Sequence, residues 1–147
     1  MTRARHILVV EDSDEDYQTV LDAAVQCTVQ NHIQRATSGE NCVGQLLSLA
    51  DKHQDLPALV LLDLNTSQTD GREALLQIKQ DIQLRIIPVV VLSGSANPRD
   101  LSFCYSNGAN AYHVKPVHHA LHLLVLQKIF GYWLHNVVSP FEMARAP

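Results

Sequence analysis

Five short apolar runs alternate with five helix-like segments, and that alternation predicts an α/β fold built on a parallel sheet covered by helices. Three of the runs, Ile7–Val10, Leu59–Leu62 and Val89–Leu92, are entirely Val, Ile and Leu. This is the composition of central strands buried on both faces. A charged or polar residue stands just past four of the runs: Glu11 and Asp12, then Asp63, Ser93 and Lys115. In an open α/β sheet the crevice beyond the carboxyl ends of the strands is where ligands bind.

The elements follow in order. After the first strand, Ser13 or Asp14 is available as a cap, and acidic residues fill the first turn of a helix predicted over Asp14 to Gln30. The second strand, Ile33–Ala36, is short and more polar, which suits a sheet edge. A second helix follows Ser38-Gly39 and runs towards His53; the polar connection Asp51–Ala58, stopped by Pro57, reads as surface loop. Asp70-Gly71 is a turn signal opening a third helix, Arg72 to about Lys79. The fourth helix starts near Asn97-Pro98, with proline in an early helical position, and ends at Asn107-Gly108. The fifth strand is Ala111–His113.

The last helix, His118 to about Val138, carries apolar residues on more than one face, among them Leu121, Leu124, Ile129, Phe130 and Trp133. A helix lying on a sheet needs one apolar stripe. The surplus predicts a subunit interface, in preference to cover by the chain's own last residues, and the tail after Ser139-Pro140 is expected to be loose.

At 147 residues the chain has the size of one domain with a self-sufficient core, expected over about residues 5–137 with 138–147 as tail. A net charge of −4 provides no basic footprint for nucleic acid. Cys27, Cys42 and Cys104 are odd in number and lie in apolar sequence, as reduced packing residues of a cytoplasmic protein do. The four-residue apolar stretch before Glu11 is too short for a signal peptide or a membrane span.

Asp63 is the candidate nucleophile, opposite the end of the first strand and beside Glu11 and Asp12. Three neighbouring carboxylates repel one another unless a cation joins them. Hard oxygen ligands favour Mg²⁺, bound through one or two carboxylates plus phosphate. Lys115 and the cation would neutralise a transferring phosphoryl group, and Ser93 would donate to one of its oxygens. Lys115 precedes Pro116, and a cis Lys115–Pro116 bond is expected to aim the ammonium into the site.

These residues and their spacings, with Gly71 eight positions after Asp63 and Ser93 thirty after it, resemble the receiver domains of two-component response regulators over about Arg5 to Val137. The resemblance implies a CheY-like, flavodoxin-type doubly wound sheet of order 2-1-3-4-5. It implies phosphotransfer from a sensor kinase phosphohistidine to Asp63, and a metal site of Glu11, Asp12 and Asp63 completed by the Asn65 backbone carbonyl. It also implies that Tyr112 is a switch aromatic, turning inward as the Ser93 hydroxyl moves to the phosphoryl group. More narrowly, Asp63-Leu64-Asn65 with Asp70-Gly71-Arg72-Glu73 is similar to the small regulators that partner cyanobacterial phytochromes and dimerise through the fourth helix, fifth strand and fifth helix. One departure stands out: Ser67 replaces the family's proline and Thr66 an apolar residue, so that loop is expected to be less rigid.

Three functions compete. The first is a phosphorylatable switch without an output domain. The second is an aspartyl-phosphate phosphatase, which fits poorly because Asn65 stands where a second Asp is needed and no cap domain is present. The third is a receiver-like interaction module that works without phosphorylation. His118, His119 and His122 invite a zinc reading, but no acid or cysteine nearby completes a ligand set, so solvated or interface histidines are expected.

Overall fold

The computed structural model describes residues 4–66 and 71–143; Ser67 and Asp70 lie outside the described residues. Five parallel strands, β1 (Ile7–Val10), β2 (Ile33–Ala36), β3 (Leu59–Leu62), β4 (Val89–Ser93) and β5 (Ala111–Val114), form one sheet of order β2-β1-β3-β4-β5. The polar β2 is therefore an edge, and the aliphatic β1, β3 and β4 are central and buried throughout.

Period-2 alternation sends neighbouring residues of each strand to opposite faces. Leu8 and Val10 of β1 join Leu46 of α2 (Gly39–Asp51), Ile78 of α3 (Gly71–Gln80) and Cys104 of α4 (Pro98–Ser106) on one face. Ile7 and Val9 join Val20 and Ala23 of α1 (Asp14–Gln26) and Leu126, Ile129 and Phe130 of α5 (His119–Phe130) on the other. Helices thus cover both faces, which is the doubly wound arrangement.

Local chemistry sets the helix ends. Ser13 caps α1, its hydroxyl accepting from the Asp16 N–H at 3.2 Å, and Asn97 caps α4 in the same way, accepting from the Arg99 N–H at 2.9 Å. The first helix stops at Gln26, short of the predicted Gln30. Thr28 takes a left-handed φ of 54°, and the Val29 N–H returns to the Ala24 carbonyl at 2.9 Å. That closure ordinarily uses glycine, so a threonine there left no stop signal to read. Gly108, at φ 97°, ends α4, and a Cβ there would come within 2.9 Å of the Lys79 side chain.

The C-terminal segment departs from expectation. After α5 the chain continues through a π-helical turn, Gly131–Asn136, and a short α6, Pro140–Met143. The tail is not loose as far as Phe141, whose ring packs on the core and lies 4.0 Å from the Arg5 guanidinium. Part of the apolar surplus is also covered within the chain: Leu123, Val125, Trp133 and Leu134 pack against the α1/α5 core. Leu121, Leu124, Tyr132 and Val138 stay exposed.

Candidate functional site

Register alone brings the site together. Val10 pairs with Leu62, so Glu11 and Asp63 leave the sheet side by side; Leu62 pairs with Val91, which sets Ser93 on the neighbouring strand end. Leu92 pairs with His113 and Ser93 with Val114, delivering Lys115 to the same edge. Glu11, Asp12 and Asp63 each offer a carboxylate oxygen within 4.8 Å of the others. All three donors are hard oxygens, the set that suits Mg²⁺ or a similar divalent cation. Acidic cluster and cation chemistry fit.

Lys115 reaches this cluster from β5. Its ammonium donates to Glu11 Oε1 at 2.7 Å, Asp16 Oδ2 at 3.0 Å and Asp63 Oδ2 at 3.1 Å. Among the described residues no peptide bond is cis, so the expected cis Lys115–Pro116 bond is not formed. It is not needed: the Lys115 N–H donates to the Ser93 carbonyl at 2.6 Å, extending the β4–β5 ladder by one bond and presenting the side chain to the crevice with the lower-energy trans peptide.

Burial pushes the Glu11 carboxyl up to about 7, against the hydrogen bond and charge of Lys115 and with the Asp63 charge adding to the rise. Burial works against the Lys115 charge, but the hydrogen bond to Glu11 and the charges of Asp63 and Glu11 outweigh it and hold its pKa above the ordinary lysine value. The pocket therefore keeps a permanent ammonium beside carboxylates whose negative charge exceeds it.

Asn65 is held close to Asp63 and Ser93. The Asn65 N–H donates to Asp63 Oδ1 at 3.0 Å, and the Asn65 side-chain amide donates to Ser93 Oγ at 3.3 Å. The Gly71 N–H donates to the Leu64 carbonyl at 2.9 Å. A Cβ on Gly71 would fall 2.7 Å from Leu64 Cα and 2.8 Å from the Asp63 carbonyl oxygen. The glycine eight residues after Asp63 is thus required by close backbone approach.

Ser93 is fully buried, and its hydroxyl also accepts from the Ser95 N–H at 3.2 Å. Ser95 donates to Asp100 Oδ2 at 2.6 Å, Arg72 of α3 pairs with Asp100, and the Tyr112 hydroxyl donates to the Ser95 carbonyl at 2.8 Å. The Ser95 hydrogen bond and then the Arg72 guanidinium hold the Asp100 carboxyl below the usual carboxylate range. Tyr112 is partly buried and tied to Ser95, in the loop that follows Ser93.

Sequence reasoning missed Asp16, Ser95 and Asp100. Each was legible only as a helix-start or loop residue, a reading that capping chemistry fully explains. It also misjudged His122, which is buried with 4% of its surface exposed, and Nδ1 lies 4.0 Å from Asp16 Oδ1. His118 and His119 are exposed. Among the described residues the histidines form no ligand group.

Known proteins share this frame. The response regulator receiver domain profile matches residues 7–126. Response regulator Rcp1 of Synechocystis sp. is 34% identical over 91% of this chain and 92% of its own length. Probable methanogenesis regulatory protein FilR2 of Methanothrix harundinacea is 35% identical over 91% of this chain and 86% of its own. The phosphorylated cyanobacterial phytochrome response regulator RcpA superposes with a TM-score of 0.87 at 32% identity, covering 94% of this chain and 99% of that one. The Mn²⁺-bound form of Rcp1 gives 0.84 at 33%, covering 92% and 99%. A profile match across the whole sheet, with relatives of this identity along nine-tenths of the sequence, makes this chain a member of the response regulator receiver domain family.

Proposed function

We propose that this receiver domain accepts a phosphoryl group on Asp63 from the phosphohistidine of a sensor kinase, with Mg²⁺ held by Glu11, Asp12, Asp63 and the Asn65 backbone carbonyl. An Asp63 carboxylate oxygen forms the new O–P bond, the N–P bond to the donor imidazole breaks, and the imidazole nitrogen leaves with the electron pair and takes up a proton. The bound cation supplies positive charge for the phosphoryl oxygens. Lys115 adds a second positive charge from the opposite strand end, and Ser93 donates its hydroxyl to a phosphoryl oxygen. The observation that carries this reading is the Lys115 ammonium within 3.1 Å of Asp63, inside a cluster of three carboxylates.

The new charge biases two linked groups. Ser93 turning to the phosphoryl group gives up its bonds to Asn65 and Ser95, and Ser95 is what Tyr112 holds. Phosphorylation therefore acts on the α4–β5–α5 surface through one short loop. That surface exposes Leu101, Tyr105, Val114, Val117, Leu121 and Leu124, and it serves as a homodimer interface. The likeness to the cyanobacterial phytochrome response regulator RcpA supports a phytochrome-type kinase as the phosphoryl source, and we place the exchange in the cytoplasm.

Incubation with acetyl phosphate and Mg²⁺ is expected to add the mass of one phosphoryl group, and Asp63→Asn to abolish it. Modification that persists in that variant would refute Asp63 as acceptor. A wild-type chain that neither binds Mg²⁺ at millimolar concentration nor gains mass would instead be an interaction module independent of phosphorylation.

A further inference from the structure

Lys115 has three N–H donors and spends them on three carboxylates. Two of these, Glu11 and Asp63, belong to the cation cluster; Asp16 does not. Asp16 sits in the first turn of α1, where an acid at this position of a capped helix ordinarily folds back to the N–H of the capping residue. Here the Ser13 N–H is taken by Glu11 Oε2 at 3.3 Å, and the Asp16 carboxylate turns to Lys115. Its second oxygen lies 4.0 Å from Nδ1 of the buried His122 ring.

Without Asp16, every carboxylate holding Lys115 would also be a cation ligand, and the ammonium and the metal would compete for the same oxygens. We propose that Asp16 is a positioning residue: it anchors the Lys115 ammonium when Glu11 and Asp63 turn to a divalent cation, so that one pocket holds both positive groups at once. The consequence for phosphorylation rests on Asp63 being the acceptor; the consequence for metal binding does not.

A double-mutant cycle separates this anchoring from the plain loss of one negative charge. Mg²⁺ affinity is measured by calorimetry in the wild type, Asp16→Asn, Lys115→Met and the double variant. We expect Asp16→Asn to weaken binding about tenfold where Lys115 is present and less than about twofold in the Lys115→Met background, a coupling characteristic of groups in one network. In parallel, the initial rate of mass gain with phosphoramidate should fall in Asp16→Asn at limiting Mg²⁺ and recover at saturating Mg²⁺. Equal weakening in both backgrounds would reduce Asp16 to a through-space charge and overturn the proposal, as would no weakening in either. Coupled metal affinities with no mass gain in the wild type would instead refute the phosphoacceptor reading and leave the anchor standing.

Discussion

The crevice at the carboxyl ends of the strands and the α4–β5–α5 face lie side by side and follow opposite rules. In the crevice, charged groups are buried and mutually satisfied: Lys115, Glu11 and Asp63 expose 13%, 6% and 10% of their side chains, and the ammonium bonds both carboxylates. On the adjoining face, large apolar side chains are open, with Val117 fully exposed and Leu121 about half so. Burying charge costs free energy unless the partners are in place, whereas leaving apolar surface in water forgoes about 25 cal/mol per Å². Both regions therefore hold a configuration that a second event, cation and phosphoryl binding in one and association in the other, would improve. Ser93, Ser95 and Tyr112 connect them.

The largest test of this contrast is Lys115→Ala. Breaking a buried ion pair typically costs about 3–5 kcal/mol, and we expect about 2–3 kcal/mol here because Glu11 can take up a proton in compensation. Denaturant unfolding without metal should show the loss, and added Mg²⁺ should restore part of it by binding only the folded state. A variant as stable as the wild type without metal would mean that the crevice is not electrostatically loaded.

The second test is pH. Burial lowers the pKa of both His113 and His122 from 6.5, opposed at His122 by the Asp16 charge. The unfolded chain then binds more protons than the folded one below 6.5, so these two groups add stability above that pH that is lost as pH falls through it. Glu11 acts with the opposite sign: its raised pKa makes the metal-free fold gain protons, and relative stability, as pH falls from about 7 towards 4.5. The informative quantity is the difference between variant and wild type. His122→Gln and His113→Gln should each flatten the loss of stability below pH 6.5, read from thermal unfolding, and an unchanged slope would contradict their burial.

The smallest effect on stability is expected on the apolar face. Leu121→Asp with Val117→Asp should move unfolding free energy by no more than about 0.5 kcal/mol each, as for exposed sites. Sedimentation should nevertheless show the proposed dimer lost while Asp63 still takes up phosphoryl. An oligomeric state unchanged by both substitutions would remove this face from the interface.

The legible part of the site was the part set at strand ends. Glu11, Asp63 and Ser93 could be placed because three aliphatic runs in parallel register must deliver the following residues to one edge, and Lys115 because the fifth strand extends that register from β4. Gly71 was legible as a turn, and its deeper reason, a Cβ colliding with Leu64 and Asp63 backbone, appears only in three dimensions. Thr28 adopts left-handed backbone without glycine, so the end of α1 carried no warning in the sequence, whereas α2 ends close to the expected His53 although His53 too is left-handed without glycine. The cis Lys115–Pro116 bond was an inference from an isolated dipeptide that a single ladder hydrogen bond made unnecessary.

Sheet, helices and the crevice with its three acids, hydroxyl and lysine were written in the order of residues, because strand periodicity and strand-end position are local properties. Which partners those groups took was decided by tertiary structure. Lys115 meets Asp16 across 99 residues of chain and Asp63 across 52; His122 is buried by the approach of α1 to α5; Phe141 finds Arg5. Such pairings depend on distances between elements far apart in sequence, and a first-turn acid or a tail phenylalanine looks the same in the chain whether it faces water or a buried charge.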